Sequence, residues 1–343
     1  MKMFSSVRSP YAPQKSLVGK TVCVTGAGGF IASHLLERLV REGANVRGLL
    51  HYNSRNDWGR AERIPADIRK SIRFTMGDIL DPSQLRKALT GCDYVFHLAA
   101  LISIPYSYDA PEMYVSINVQ GTLNILETCR KIGIQRLVHT STSEVYGTAR
   151  YVPIDEKHPL QAQSPYSATK IGADKLVESY YNSFALPVVT VRPFNTYGPR
   201  QSARAIVPSI IAQALTRKMV AIGSTTPMRD LNYVEDTVDG FIRAAVTSKA
   251  DGQVFNFGTG KDISIGDLAK KILALIGNDV TLTTDKQRIR PTKSEVMRLQ
   301  CDSRKAAKIL GWKPRHNLDE GLLNTIAWMR ENIQHFKPTV YSK

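Results

Sequence analysis

"VCVTGAGGFIASHLLERLV", residues 22–40, decides how the chain is read. A short apolar strand runs into three glycines, Gly26, Gly28 and Gly29, and an amphipathic helix follows at once. Glycine at such a junction permits a tight turn and lets backbone N–H groups approach an anion at the helix N-terminus. A glycine trio alone is common in loops. Set between an N-terminal strand and a helix, it reads as a dinucleotide-binding loop, with Phe30 and Ile31 opening the helix beside the pyrophosphate. The spacing is Gly26-x-x-Gly29-x-x-Ala32, and alanine is small enough to keep helix and strand close.

Outward from this loop, β-rich runs alternate with helical patterns. Strands are expected at 21–26, 45–50, 72–78, 94–100, 136–142 and 186–193, and helices at 31–42, 82–90, 111–132 and 166–184. In 111–132, Met113, Ile117, Leu123, Leu126 and Cys129 recur at near-helical spacing. Such alternation implies βαβ units and a parallel sheet. After "RPFNTYGPR" (192–200) loops rich in Pro and Gly alternate with short strands at 219–223, 253–258 and 280–284. Helices are expected there at 206–217, 234–248, 264–276, 304–311 and 319–334. The expected fold is α/β: a Rossmann-like, doubly wound parallel sheet over 21–190 and 232–259. A smaller α/β substrate lobe would take 191–231 and 260–337, after a flexible basic leader at 1–20.

Hydrophobic residues make up 43% of the 343 and charged ones 22%, the balance of a globular protein. No stretch approaches the ~20 apolar residues of a membrane helix, and the leader lacks the apolar core of a secretory signal. The net charge of +16 raises nucleic acid as a partner. The basic residues are dispersed among acids and form no run with aromatics; a small polyanion such as a nucleotide diphosphate would suit the same excess, and the charge alone decides nothing. Cys23, Cys92, Cys129 and Cys301 are scattered without a C-x-x-C pair, as expected of buried thiols in a reducing cytoplasm. The histidines show no metal-ligand spacing, and no metal is expected.

Readers of NAD usually place an acid at the end of the second strand to bond the ribose hydroxyls. Here that strand ends "LLHYNSRND", with no acid before Asp57. Asn53, Ser54 and Arg55 instead suit a 2′-phosphate, which favours NADP; with Arg55 solvated, NAD remains open. Asp78 is placed to bond the adenine amine, with Ile79 beside it, and Leu98, Ala99 and Ala100 close the other side of the crevice.

"SPYSATKIGADKL" (164–176) holds Tyr166 and Lys170 one helical turn apart on one face. Chance alone gives about one Tyr-x-x-x-Lys in a chain of this composition, and Tyr11–Lys15 is such a pair. Tyr166 and Lys170 stand out because they follow a dinucleotide sheet and the run "HTSTSEVYG" (139–147). An ammonium one turn away lowers a phenol's pKa and lets tyrosinate act as a base. In that run Glu144 stands beside Thr142 and Ser143 at a strand's C-terminal end, where open sheets bind ligands.

The runs TGAGGFIASH, HLAA, STSEVYG, YSATK, RPFNTYGPR and RDLNYVEDTVDGF occur in the order found in the extended short-chain dehydrogenase/reductase family of nucleotide-sugar enzymes. The resemblance covers roughly residues 20–335. It implies a tightly bound nicotinamide cofactor, regenerated each turnover, a Tyr166–Lys170 pair with Thr142 as partner, and a nucleotide-sugar substrate. Simple 4-epimerases usually have small residues where Ser143 and Glu144 stand, whereas 4,6-dehydratases resemble this chain. "HYNSRNDWG", "LISIPYSY" and "RPFNTYGPRQSARAIVP" look most like dehydratases of the legionaminic-acid pathway, which act on UDP- or GDP-linked N-acetylglucosamine. Such an enzyme moves a hydride internally from C4 to C6 and expels water, so it needs a base at C5; an epimerase does not. Glu144 fits that base. Relatives with Asp before Glu are thought to use that Asp as the acid for the leaving hydroxyl. Ser143 is a poor acid, so the proton would come from Glu144 or through water.

By the same resemblance, Asn195 touches the substrate diphosphate and Arg229 is its bidentate ligand, with Arg204 and Arg290 as further candidates. The rival readings are a 4-epimerase or 5,6-dehydratase on the same scaffold, and a non-catalytic dinucleotide-binding sensor, which would not need Thr142, Tyr166 and Lys170 together. In the family the helices at 111–132 and 166–184 pair with their copies. Met113, Ile117, Tyr180, Tyr181 and Phe184 supply apolar surface for the same symmetric homodimer here.

Overall fold

The structure, a computed structural model, describes residues 15–277 and 280–337. Residues 1–14 of the expected leader lie outside the described residues. The strands, in order, are β1 (Thr21–Thr25), β2 (Asn45–His51), β3 (Ile72–Gly77), β4 (Tyr94–His97), β5 (Arg136–Thr140), β6 (Val188–Pro193), β7 (Asn195–Tyr197), β8 (Met219–Ile222), β9 (Met228–Tyr233), β10 (Val254–Phe257), β11 (Asp262–Ser264), β12 (Thr281–Thr284) and β13 (Arg298–Leu299). Seven of them form a fully parallel sheet in the order β10-β6-β5-β4-β1-β2-β3. The order reverses between β1 and β4, the switch point at which open α/β sheets take their ligands.

The sheet is wound on both faces, and its central strands are accordingly buried at nearly every position rather than at alternate ones. Val22 and Val24 of β1 enter one core with Leu35, Leu36 and Leu39 of the helix Phe30–Arg41 and Phe241 of the helix Val234–Val246. Cys23, between them, points the other way, to Leu85, Leu126, Cys129 and Val177. Those residues come from the helices Pro82–Leu89, Gly121–Ile132 and Pro165–Phe184. All four cysteines are free and buried.

The second lobe builds on a small sheet in which β9 pairs with β7, β11 and β13, and on a separate parallel pair of β8 and β12. The main sheet reaches past the expected boundary at 190. β6 runs on to Pro193, pairing with Phe257 at the end of β10. Conversely, the expected strands 94–100 and 136–142 stop at His97 and Thr140. The second stop has a visible cause. The Thr142 hydroxyl accepts the Glu144 N–H at 3.2 Å and turns the chain into the short 3-10 helix Ser143–Tyr146. The expected helix 111–132 is one helical run with a π turn, Val115–Gln120, between the α segments Pro111–Tyr114 and Gly121–Ile132. Such turns often mark functional sites.

Candidate active site

The glycine loop and the end of β4 meet at the switch point. Gly26 has φ +68°, and a Cβ there would lie 2.8 Å from the backbone of Ala99, so only glycine fits. Ala99 N–H donates to Thr25 Oγ1 at 3.2 Å, which fixes the Leu98–Ala100 wall against β1. Gly29 is the N-cap of the helix Phe30–Arg41, and no side chain caps that helix. Its first N–H groups are thus left to an outside acceptor, which is what a pyrophosphate needs. The residues present fit a dinucleotide.

Beyond β2 the chain folds back over the glycine loop, with Arg60 N–H donating to the Gly28 carbonyl at 2.9 Å. Asn53 closes this turn: its Nδ2 donates to Asp57 O at 2.7 Å, and its Oδ1 accepts the Asp57 N–H at 2.9 Å. Its amide is therefore engaged within the loop, while Ser54 and Arg55 are exposed. Asp78 is half-buried after β3 and accepts the Leu80 N–H at 2.9 Å. Ile79, next to it, packs where Gly121 has no side chain; a Cβ there would come within 2.4 Å of it.

Thr142, Ser143 and Glu144 leave the end of β5 and face the helix Pro165–Phe184, which carries Tyr166 and Lys170. That helix starts sharply because Ser164 and Ser167 form a reciprocal capping box ahead of it. Tyr166 is buried, and its ring meets Tyr114 edge-on at 6.3 Å. Burial pushes its phenol well above the ordinary value, a hydrogen bond with Thr142 opposes this, and the charge of Glu144 reinforces it. Lys170 donates from Nζ to the Thr140 carbonyl at 2.7 Å. Burial lowers its ammonium to about 8, against the pull of Asp174. Glu144 is half-buried, and its charge acts on both Tyr166 and Arg229.

Arg229 lies on β9 and is buried; its Nη2 donates to Glu295 Oε1 at 3.1 Å, and Arg290 Nη1 reaches the same oxygen at 3.5 Å. Burial lowers the Arg229 pKa, with Glu144 and Glu295 opposing. Asn195 opens β7, one strand away from Arg229 in the same small sheet, and its Oδ1 is buried without a hydrogen-bond partner. Arg204 is exposed between the lobes, close enough for its charge to act on Tyr114 and on Arg60. The segment carrying Glu295 also ties the lobes together. Ser294 Oγ donates to the Gln163 carbonyl at 2.6 Å and lies 2.5 Å from the Tyr108 hydroxyl.

Two positions escaped the motif reading. Asn118, in the π turn, bonds both the N–H and the carbonyl of Leu101 at 2.9 Å and donates to Thr169 at 3.1 Å. It locks the loop after β4 to the helix of Tyr166, and no local spacing announces it. Glu295, the partner of both arginines, follows a loop rich in basic residues and carries no motif either.

Residues 23–325 match the family model described as GDP-mannose 4,6 dehydratase. The UDP-glucose 4-epimerase of Mycolicibacterium smegmatis is 36% identical over 326 residues, covering 91% of this chain and 99% of that protein. A solved epimerase from Methanothermobacter thermautotrophicus superposes with a TM-score of 0.86 at 31% identity, over 94% of this chain and 95% of that one. The dTDP-glucose 4,6-dehydratase of Streptomyces venezuelae, solved with NAD bound, superposes with a TM-score of 0.83 at 28% identity, over 93% and 100%.

Proposed function

The chain belongs to the GDP-mannose 4,6 dehydratase family, among the extended short-chain dehydrogenase/reductase enzymes of nucleotide sugars, and on that premise we propose that it is a nucleotide-sugar 4,6-dehydratase. Its substrate in this reading is UDP- or GDP-linked N-acetylglucosamine, as the resemblance to the legionaminic-acid dehydratases implies. Relatives of the chain include both 4,6-dehydratases and 4-epimerases, so the family alone does not choose. Glu144 supports the dehydratase: a half-buried carboxylate follows Thr142 at the end of β5, near enough for its charge to act on both Tyr166 and Arg229.

Tyr166 accepts the proton of the sugar 4-hydroxyl with Thr142 bonded to its oxygen. Burial holds the phenol above its ordinary value rather than below it as the Lys170 spacing implies, so the Thr142 bond is what favours the phenolate. Gly26, Gly28, Gly29, Asp78 and the Leu98–Ala100 wall would hold a nicotinamide dinucleotide, which would supply hydride acceptance at C4 and hydride donation at C6. A ketone at C4 acidifies C5–H, and Glu144 takes that proton. The 6-hydroxyl leaves as water, protonated by Glu144 or through water, since Ser143 is a poor acid. Arg229, Arg290 and Asn195 hold the diphosphate, joined from the other lobe edge by Arg204.

The cofactor is NADP in this reading, because β2 ends without an acid and Ser54 and Arg55 stand exposed beyond it. NAD, bound in the Streptomyces venezuelae dehydratase, is the alternative. Buried free thiols suit a cytoplasmic enzyme; no helix among the described residues is long and apolar enough to cross a membrane. A 4-epimerase is the second reading, favoured by the identity to the Mycolicibacterium smegmatis enzyme. Product masses after incubation with UDP- and GDP-N-acetylglucosamine decide between them: loss of one water supports the dehydratase, and unchanged mass with a new sugar gives the epimerase.

A further inference from the structure

Asp174 lies one turn beyond Lys170 and two beyond Tyr166, so the three share the face of the helix Pro165–Phe184 that packs on the sheet. It is only 5% exposed, yet its carboxylate is fully engaged. Ser141 Oγ donates to Oδ2 at 2.8 Å, Arg192 donates from Nε and Nη2 at 3.1 and 2.8 Å, and His139 Nε2 stands 3.3 Å from Oδ1. His139 and Ser141 flank Thr140, whose carbonyl accepts the Lys170 ammonium. One carboxylate thus ties both neighbours of that acceptor to the helix that carries the donor. Thr142, the partner of Tyr166, follows directly.

The carboxylate is itself secured from the far side. Arg192 Nη1 donates to the Tyr146 hydroxyl at 2.9 Å, and Tyr146 donates to Asn256 Oδ1 at 2.8 Å. Burial would raise the Asp174 carboxyl, but Arg192, His139 and Lys170 outweigh it and hold the group ionised. Around Lys170 the other titratable or charged groups are Tyr166 on its own helix, His97 on β4, His139 on β5, Arg192 on β6 and Glu144 in the turn after β5. Both histidines are buried, and burial lowers their pKa values, so they stay neutral at neutral pH. Arg192 adds positive charge, already opposed by the carboxylate it binds. Asp174 is the anion that acts on Lys170.

We propose that Asp174 is a positioning residue, which keeps the Lys170 ammonium seated on the Thr140 carbonyl beneath Tyr166. The inference rests on Tyr166 and Lys170 being the proton-transfer pair, so its test is read on Lys170 itself and not on turnover.

The experiment is an NMR titration of the full-length protein labelled with carbon-13 at the lysine ε position, with Lys170→Arg identifying the signal. Asp174→Asn should lower the Lys170 midpoint by about one pH unit, the scale of a lost neighbouring charge. Asp174→Glu, which keeps the charge, should restore most of it. Arg192→Gln, which leaves Asp174 less neutralised, should move the midpoint up. A merely structural salt bridge would lower the melting temperature in Asp174→Asn and Arg192→Gln alike and leave both midpoints where they were. If Asp174→Asn does not fold, the direction in Arg192→Gln decides alone. Unmoved midpoints, or an Arg192→Gln midpoint that falls, overturn the proposal. A protein that fails to dehydrate its sugar would show that in product masses, not here.

Discussion

Arg229 donates to Glu295 at 3.1 Å across 66 positions of chain, an ion pair between two largely buried groups. Arg290 shares the same carboxylate oxygen, and the charge of Glu144 also acts on Arg229. Two guanidiniums are thereby held side by side, ready to donate to a diphosphate. Arg229→Ala should therefore weaken sugar-nucleotide binding by about 1.5–3 kcal/mol, roughly 10- to 150-fold in Kd, and leave dinucleotide affinity unchanged. Calorimetry with each ligand checks this. Equal weakening of both would point to a folding defect.

Glu144→Gln should keep cofactor binding, and it should keep proton removal by Tyr166, because it only takes away a charge that raises the Tyr166 pKa. Elimination should slow by about a hundredfold or more, the scale of a lost general base. Stopped-flow absorbance of the reduced nicotinamide would then show it accumulating where the unchanged enzyme shows none. Near-normal turnover would remove Glu144 from the C5 position.

Much of this site was legible from local spacing. The glycine loop, Thr142–Glu144 and the Tyr166–Lys170 pair each fall within a few residues and carry chemistry that the strand-helix pattern places at one edge. The structure brings Glu144, Tyr166 and Lys170 together around the end of β5. Asn118, Glu295 and the Asp174–Arg192 pair were not legible as site components, though Asp174 stands four residues after Lys170. Their meaning depends on partners brought in by tertiary packing: Leu101 for Asn118, Arg229 for Glu295, Ser141 and Arg192 for Asp174. The strand ends were also misjudged, because an apolar run does not reveal where a hydroxyl such as that of Thr142 will turn the chain.

Stability should fall as the pH drops below neutral. His97 and His139 are buried, and burial lowers both pKa values, so the unfolded chain binds their protons first. The stability they contribute is complete above the unfolded value of about 6.5 and is lost below it, at up to about 1.4 kcal/mol per pH unit for each. His316 acts in the opposite sense: burial lowers its pKa, but Asp236 and Glu235 outweigh burial and raise it. His34, whose pKa burial also lowers, adds to His97 and His139, so one histidine against three leaves a net loss. Urea midpoints should drop from about pH 7.5 to about pH 5.5, and a flat profile would show that these rings are not held neutral.

Assembly follows from the faces of the two long helices. Met113 is 50% exposed, Val115 54% and Phe184 51%, on the two helical segments expected to pair between subunits. Tyr180 does not belong to this surface: it is buried, and its hydroxyl donates to Glu127 at 2.7 Å. The remaining exposed apolar side chains are spread along both helices, from Met113 near one end to Phe184 at the other, and a second copy would cover them. Light scattering should give about twice the 38.1 kDa of one chain. A mass near that of a single chain would contradict the dimer.

The central claim is that a base removes the C5 proton on the way to losing water. It is tested most directly by running the reaction in deuterium oxide and weighing the sugar nucleotide by mass spectrometry. The account predicts a product lighter by one water and carrying one solvent deuterium at C5, because the proton taken by Glu144 exchanges before C5 is reprotonated. A product of unchanged mass, with inverted C4 and no deuterium on carbon, would contradict it and make the protein an epimerase.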